Sequence, residues 1–93
     1  MSDKTATCER TGEKILLREG FFTANPASGE WVFISKTAPE EHGDYPVPAS
    51  ELVNSVESFV DWMAHLAEKT WFVPVKFFAF FTRFREANKL YGL

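Results

Sequence analysis

The stretch that decides the fold is FFTANPASGEWVFIS, residues 21–35. Its two ends are rich in aromatic and β-branched residues, which favour β-strands. Between them lies Asn25-Pro26-Ala27-Ser28-Gly29, a run of turn-forming residues. Two such runs around a turn predict an antiparallel β-hairpin with strands at residues 21–24 and 30–35.

Two shorter strands are predicted before this hairpin, at residues 6–9 and 14–18. Gly12 and Gly20 mark turns on either side of the second one, so we expect the four strands to form a small antiparallel meander. The runs at residues 15–17 and 31–34 are apolar without polar alternation. This pattern predicts that both faces of the sheet are at least partly covered.

Residues 37–49 follow the sheet and differ sharply from it in composition. They contain Pro39, Pro46, Pro48 and Gly43 together with a cluster of acids. Prolines, glycine and acids in one short stretch are typical of a loop. We therefore predict an acidic, proline-containing loop that leads from the sheet to the helices.

Two amphipathic helices are predicted after this loop. The first begins at Ser50, a favourable N-cap, while Asn54 with Glu57 offers a competing start one turn later. Its apolar residues are spaced three and four apart and share one stripe: Leu52, Val53, Val56, Phe59, Val60, Met63, Leu66 and Ala67. The second begins at Pro74 and stops at Gly92, and its apolar arc includes Phe77, Phe80, Phe81 and Phe84.

The connection between these helices, residues 69–73, is short. Helices joined in this way pack side by side, which predicts an antiparallel helical hairpin lying on the sheet. The predicted fold class is therefore α+β. A chain of 93 residues has room for one hydrophobic core. We predict a single domain over residues 1–93, with the meander in 1–36, the loop in 37–49 and the helical hairpin in 50–92.

The net charge of −3 is unevenly distributed along the chain. Residues 1–36 are neutral, residues 37–68 carry seven acids and no Lys or Arg, and residues 69–93 have a net charge of +4. The first predicted helix is thus acidic and the second is basic. Pairing between neighbouring helices of opposite charge is the simplest consequence, although exposed pairs stabilise little.

Two interpretations of the basic helix follow from its charges. In the first, Glu57 or Asp61 pairs with Arg83 or Lys76 within the same molecule. In the second, the basic residues contact nucleic-acid phosphates around one stacking ring, a stripe made of Lys76, Phe78, Arg83, Arg85 and Lys89. The negative net charge of the whole chain favours the first interpretation.

Side chains suited to catalysis are few. His65 follows Asp61 by one helical turn, and His42 lies in the acidic stretch at residues 40–44. An oriented base or a divalent-cation site is conceivable at these places, but no nucleophile motif or regular ligand spacing accompanies them. We expect a solvated helix face and a solvated loop, and predict no enzyme activity, no cofactor and no metal.

The segment Cys8-Glu9-Arg10-Thr11-Gly12-Glu13 is similar to the first knuckle of a zinc ribbon, because a cysteine is followed by a glycine turn and a strand. The three further cysteines of such a site are missing, since Cys8 is the only cysteine. Cys8 is therefore predicted to be a strand residue. A lone cysteine and an N-terminus without a signal-like apolar run predict a cytoplasmic protein.

The number of aromatic residues, ten Phe, three Trp and two Tyr, exceeds what one small core is expected to need. Trp62 and Phe78 fall outside the apolar faces of the predicted helices, and two further rings lie in the connection between them. Aromatic residues near arginine are typical of interface hot spots. The predicted interaction surface consists of Trp62, Trp71, Phe72, Phe78, Arg85 and Lys89.

Together these features predict a non-enzymatic interaction module, an accessory protein of bacterial or phage type that binds another protein or a second copy of itself. The alternative is a nucleic-acid-binding regulator that uses the basic second helix. No membrane partner is expected, because the net charge is negative and no apolar run has the length of a membrane-spanning helix.

Overall fold

A computed structural model describes residues 4–38 and 43–90 of the chain. The strands in these residues are β1 (Thr5–Thr7), β2 (Lys14–Leu16), β3 (Gly20–Asn25), β4 (Glu30–Ser35) and β5 (Tyr45–Pro48). The helices are α1 (Ala49–Val53), α2 (Val56–Ala67) and α3 (Pro74–Ala87), and a short 3-10 helix, Leu17–Glu19, joins β2 to β3. The predicted α+β class is confirmed.

The strands form two antiparallel sheets and not one meander. β1 pairs with β2, while the second sheet has the order β4-β3-β5. In the β3–β4 hairpin Phe22 lies opposite Phe33, and Phe21 lies opposite Ile34. Because neighbouring residues of a strand point to opposite faces, these two pairs belong to different faces of the sheet.

The segment predicted to be a loop, residues 37–49, contains the edge strand β5. Val47 of β5 lies opposite Phe22 and is fully buried. Pro46 and Pro48 occupy the same strand. Proline has no N–H to donate and is therefore confined to sheet edges, which is the position of β5. Because prolines are uncommon inside strands, the composition of this segment predicted a loop and not a strand.

The long helix predicted from Ser50 is broken into α1 and α2. Ser55 adopts an extended conformation (φ −158°, ψ 166°), and its side-chain oxygen accepts a hydrogen bond from the backbone N–H of Ser58 at 3.0 Å. Ser55 is therefore the N-cap of α2, and the predicted starts at Ser50 and Asn54 are wrong for this helix. The chain changes direction at the break.

Helix α3 begins at Pro74 as predicted, but it ends well before the predicted stop. Its last helical residue is Ala87, and Lys89 adopts a left-handed conformation with φ 57°. The backbone N–H of Leu90 then donates to the carbonyl of Arg85 at 2.8 Å, which closes the helix end. The predicted stop, Gly92, lies outside the described residues.

The main core lies between the three-stranded sheet and α3. Phe22 and Phe33 of the sheet contact Phe80 and Phe84 of α3, and all four rings are buried. On the opposite face of the sheet a smaller cluster consists of Cys8, Phe21, Val32, Ile34 and Ala38. The prediction that both faces are partly covered is confirmed. The antiparallel hairpin of α2 and α3 stays a prediction.

The outer edge of β4 is closed by the turn that follows β1. Cys8 lies just after β1 and is not a strand residue as predicted. The backbone N–H of Glu9 donates to the carbonyl of Phe33, and a carboxylate oxygen of Glu9 accepts from the N–H of Phe33 at 3.0 Å. The N–H of Ser35 donates to the sulfur of Cys8 at 3.2 Å. These contacts occupy edge groups that would otherwise pair with another strand.

Replacing Glu9 with alanine is expected to lower the free energy of unfolding by about 1–3 kcal/mol, because the Phe33 N–H loses its acceptor. The Glu9 carboxylate also lies 3.4 Å from the guanidinium of Arg83. Losing this ion pair should add a smaller, electrostatic contribution to the loss of stability. Glu9→Gln keeps an acceptor oxygen and should cost less. Urea unfolding measures the changes, with the exposed Glu13→Ala as the matched control. Equal losses for Glu9→Ala and Glu13→Ala would show that the edge contact is unimportant.

Candidate interaction surface

Large apolar side chains are exposed on the two long helices. Val56 and Val60, four residues apart on α2, are 80% and 56% exposed, and Phe78 on α3 is 47% exposed. The half-buried ring of Phe59 joins the two helices, since it lies 6.4 Å from Phe78 and 6.0 Å from Phe81, centroid to centroid. We call Val56, Phe59, Val60, Phe78 and Phe81 the apolar helix surface.

A cavity of about 480 Å³ opens at one end of this surface. Its apolar lining comes from α1, α2 and α3, and Ser55 at the helix break is also part of it. The complete lining is Lys4, Leu52, Val53, Ser55, Val56, Phe59 and Phe81. The Ser55 cap thus has a second consequence, because the change of direction between α1 and α2 brings residues of both helices to one cavity.

Charged residues flank the apolar helix surface on both of its helices. Lys4 lines the cavity, and the guanidinium of Arg85 lies 5.6 Å from the centroid of Phe81, in the range of a cation–π contact. Lys89 is exposed one turn further along the chain. Glu57 and Asp61 are exposed on α2, next in sequence to Val56 and Val60. Charged residues of both signs therefore lie near the apolar helix surface.

The six residues of the predicted interaction surface divide into two groups. Trp62, Trp71 and Phe72 are half-buried and pack against the main core. Trp71 and Phe72 lie 6.3 Å and 6.4 Å from the buried ring of Trp31. The remaining three residues lie on α3 and just beyond its end: Phe78 and Lys89 are exposed, and Arg85 is half-buried. The structure brings Phe78 and Arg85 beside the other rings of the apolar helix surface.

Sequence reasoning missed Val56 and Val60, which it assigned to the core-facing stripe of the first helix. Within α2 the stripe runs at about 100° per residue from Leu66 at one margin to Val60 at the other. Leu66 is fully buried, whereas Val56 and Val60 are exposed. The margin of an apolar stripe is buried only if a neighbouring element covers it. The sequence therefore carries no signal that separates the buried margin of this stripe from the exposed one.

The basic residues of α3 do not have the partners predicted for them. The ammonium of Lys76 lies 3.1 Å from Glu30 and donates to the carbonyl of Ser28 at 2.7 Å. Arg83 lies 3.4 Å from Glu9. The predicted pairing of these bases with Glu57 or Asp61 is wrong, because this side of α3 faces the sheet edge. Two cations of the predicted phosphate-binding stripe are thus engaged with Glu30 of β4 and with Glu9 in the turn after β1.

His65 lies outside the apolar helix surface. The ring nitrogen Nε2 of His65 is hydrogen-bonded to the hydroxyl of Tyr45 at 3.0 Å, and the ring of Trp62 packs edge-on against His65 at 5.5 Å. Lys69 lies over the ring of Tyr45 at 5.6 Å. Asp61, one helical turn before His65, was weighed against a solvated helix face as a partner, and in the structure the hydrogen-bond partner of this imidazole is Tyr45. His42 and residues 40–41 lie outside the described residues.

Cys8 is fully buried and its sulfur accepts two backbone hydrogen bonds, from Thr11 at 3.4 Å and from Ser35 at 3.2 Å. Burial raises the pKa of the Cys8 thiol, but hydrogen bonds from Thr11 and Ser35 outweigh this, so that the pKa lies below the ordinary value. Over residues 4–38 and 43–90, no group of three His, Cys, Asp or Glu side chains is placed to hold a metal ion.

Comparisons of the chain with protein-family models, curated proteins and solved structures gave no match. Within the part of the chain that the structure describes, no helix combines the length and the apolar character needed to cross a bilayer.

Proposed function

We propose that this protein is a non-enzymatic interaction module that binds another protein chain through the apolar helix surface. The observation that carries the proposal is the cluster of Val56, Val60 and Phe78, all exposed, around the ring of Phe59. Single exposed apolar side chains are common on soluble proteins. A contiguous group beside a cavity is characteristic of a binding surface.

The shape and chemistry of this surface suit an apolar face of a partner helix. Phe78 and Phe59 provide rings, the valines provide aliphatic contacts, and the cavity beside Val56 can accept a side chain of the partner. An amphipathic helix recognises such a surface with residues spaced three and four apart. Charged groups at the rim, such as Lys4, then contribute mainly to orientation and specificity.

The proposed role is that of an accessory protein in the cytoplasm of a bacterial or phage-infected cell. The cysteine usage supports the compartment, because small exported domains are often stabilised by disulfides and Cys8 is the only cysteine of this sequence. The apolar character of the proposed surface supports binding over catalysis, since acid–base chemistry requires titratable groups at the reacting atoms. His65 is not among the residues that line the cavity.

Site-specific photo-crosslinking tests the proposal. A photoreactive phenylalanine at Val60 is expected to give an adduct with a second polypeptide in cells, whereas the same group at exposed Lys14 on β2 is not. Mass spectrometry identifies the adduct. With the identified partner in purified form, Val60→Ser and Phe78→Ser should each weaken binding by about tenfold or more, because central apolar contacts dominate protein interfaces.

The matched control is Val73→Ser, another exposed valine, which lies beside Gly29 at the opposite end of α3 from the cavity-lining Phe81 region. It should leave the affinity unchanged. Equal adducts from Val60 and Lys14, or wild-type affinity for Val60→Ser and Phe78→Ser, would overturn the proposed function.

A further inference from the structure

We propose that the cavity between α1, α2 and α3 binds a small amphipathic carboxylate, whose apolar tail lies inside and whose anionic head group is held by Lys4 and Ser55. This inference goes beyond the proposed function and does not depend on it. The cavity has a volume of about 480 Å³, within the range of roughly 300–1,000 Å³ that is usual for small-molecule sites. At roughly 30 Å³ for each water-sized group, it has room for a ligand of up to about 16 non-hydrogen atoms.

The larger part of the lining suits an apolar tail. It consists of the apolar side chains Leu52, Val53, Val56, Phe59 and Phe81. Leu52 is buried and Val56 is 80% exposed, so the apolar wall extends from the core to the solvent-facing mouth of the cavity. A tail that fills this space leaves water, and each fully buried methylene then raises the affinity by about fourfold.

The polar part of the lining consists of hydrogen-bond donors. The ammonium of Lys4 can only donate, and the oxygen of Ser55 already accepts from the N–H of Ser58 at 3.0 Å, which leaves the Ser55 hydroxyl proton to donate. Among the lining residues, all within the described part of the chain, there is no acid, and Glu51 and Glu57 lie outside the lining. Donors with a single positive charge select a head group that accepts hydrogen bonds and carries one negative charge, as a carboxylate does.

The backbone fixes the positions of both donors. The carbonyl of Lys4 accepts a hydrogen bond from the N–H of Leu17 at 3.0 Å, next to the pairing of β1 with β2. Ser55 is held by its role as the N-cap of α2. A site whose backbone is already in place loses little conformational entropy when a ligand binds. Only the exposed side chain of Lys4 has to become ordered around the head group.

The cavity is larger than the proposed protein contact requires. The largest side chain, that of tryptophan, has about ten non-hydrogen atoms and takes up roughly 300 Å³ on the same measure. One side chain of a partner helix would therefore leave much of the cavity, about 480 Å³ in volume, unfilled. An alkyl carboxylate with a tail of medium length fills it more completely, because a flexible chain follows the irregular wall.

Titration of the ¹⁵N-labelled full chain with decanoate, followed by NMR at neutral pH and below the micelle-forming concentration, tests the inference. We expect one saturable site with a Kd of roughly 10–500 µM. The largest shifts should be at the backbone amides of residues 52–59 and of Phe81. Decylammonium, which has a tail of the same length and the opposite charge, should bind at least about tenfold more weakly. Octanoate, which is two methylenes shorter, should also bind about tenfold more weakly.

Two charge variants and their matched controls test the position of the head group. Lys4→Glu and Val56→Glu each place a carboxylate at the cavity, and each should weaken decanoate binding by about fivefold or more while decylammonium binds no more weakly than before. The controls Lys14→Glu on β2 and Val75→Glu on α3 make the same changes outside the lining and should bind decanoate like the wild type. All four residues are exposed, so the fold should be retained, which circular dichroism checks.

Four results would overturn the inference: no saturable shifts with decanoate, shifts centred away from the lining residues, equal affinity for decanoate and decylammonium, or wild-type affinity of Lys4→Glu and Val56→Glu for decanoate. The outcome is independent of the crosslinking experiment. A chain that does not bind decanoate but crosslinks from Val60 to another polypeptide would remove this inference and leave the proposed function standing. A chain that binds decanoate as expected but gives no specific crosslink would retain this inference and lose the proposed function.

Discussion

The variant Phe22→Ala is expected to lower the free energy of unfolding by about 3–5 kcal/mol. Phe22 is fully buried at the centre of the core, with ring centroids at 5.7 Å from Phe33, 5.6 Å from Phe80, 6.0 Å from Phe81 and 5.0 Å from Phe84. Three of these contacts are nearly perpendicular, an arrangement that aromatic quadrupoles favour. Removing the ring leaves a cavity between β3 and α3 that close-packed neighbours cannot fill.

Urea unfolding followed by tryptophan fluorescence measures this loss. A domain of this size has a stability of about 5–15 kcal/mol, so the variant should lose a large share of it. The matched control is Phe78→Ala on the exposed side of α3, where the ring is 47% exposed and little burial is lost. We expect a change of about 1 kcal/mol or less for the control. Similar losses at both positions would contradict a core centred on Phe22.

The place of Phe22 in the core could be predicted, because it follows from patterns in the nearby sequence. Aromatic and β-branched residues on both sides of the turn at 25–29 predict a hairpin, and β4 has the predicted bounds. The helical spacing of Phe77, Phe80 and Phe84 predicts the face of α3 that packs on the sheet, and all three are buried. Strand and helix periodicities are properties of the nearby sequence, so a single chain is enough to see them.

The parts that escaped prediction depend on contacts between distant segments. β5 is a strand because Val47 and its neighbours pair with β3, and the composition of residues 45–48 gives no sign of this. The charge partners of Lys76 and Arg83 depend on which sheet edge α3 crosses. The helix break has a local cause, the Ser55 cap, but Ser50 and Asn54 are equally good caps in sequence.

The apolar helix surface shows the same division. Phe78 could be singled out from its position on the wheel of α3, because it falls outside the arc of Phe77, Phe80, Phe81 and Phe84. The exposure of Val56 and Val60 could not, since it depends on how closely another element approaches the margin of α2. Sequence patterns thus identify which residues are apolar and on one face, and tertiary packing decides which of them stay exposed.

The variant Asp44→Val is expected to lower the free energy of unfolding by about 3 kcal/mol, through the loss of a nearly buried ion pair. The guanidinium of Arg10 forms a two-pronged contact with the carboxylate of Asp44, at 2.8 Å and 3.1 Å, and the two side chains are only 17% and 8% exposed. Asp44 immediately precedes β5, while Arg10 lies in the turn that closes the edge of β4. The pair therefore ties the start of β5 to the other side of the sheet.

A double-mutant cycle separates the interaction itself from the cost of leaving one charge behind. Arg10→Met and Asp44→Val are each expected to be strongly destabilising in urea unfolding, because each removes the two-pronged contact to a poorly hydrated charge. The double variant should lose clearly less than the sum of the two, since apolar residues can fill the space of a buried pair at little cost. Additive losses would show that Arg10 and Asp44 act independently. A double variant as stable as the wild type would mean that this ion pair contributes to the specificity of strand pairing and not to the free energy of unfolding.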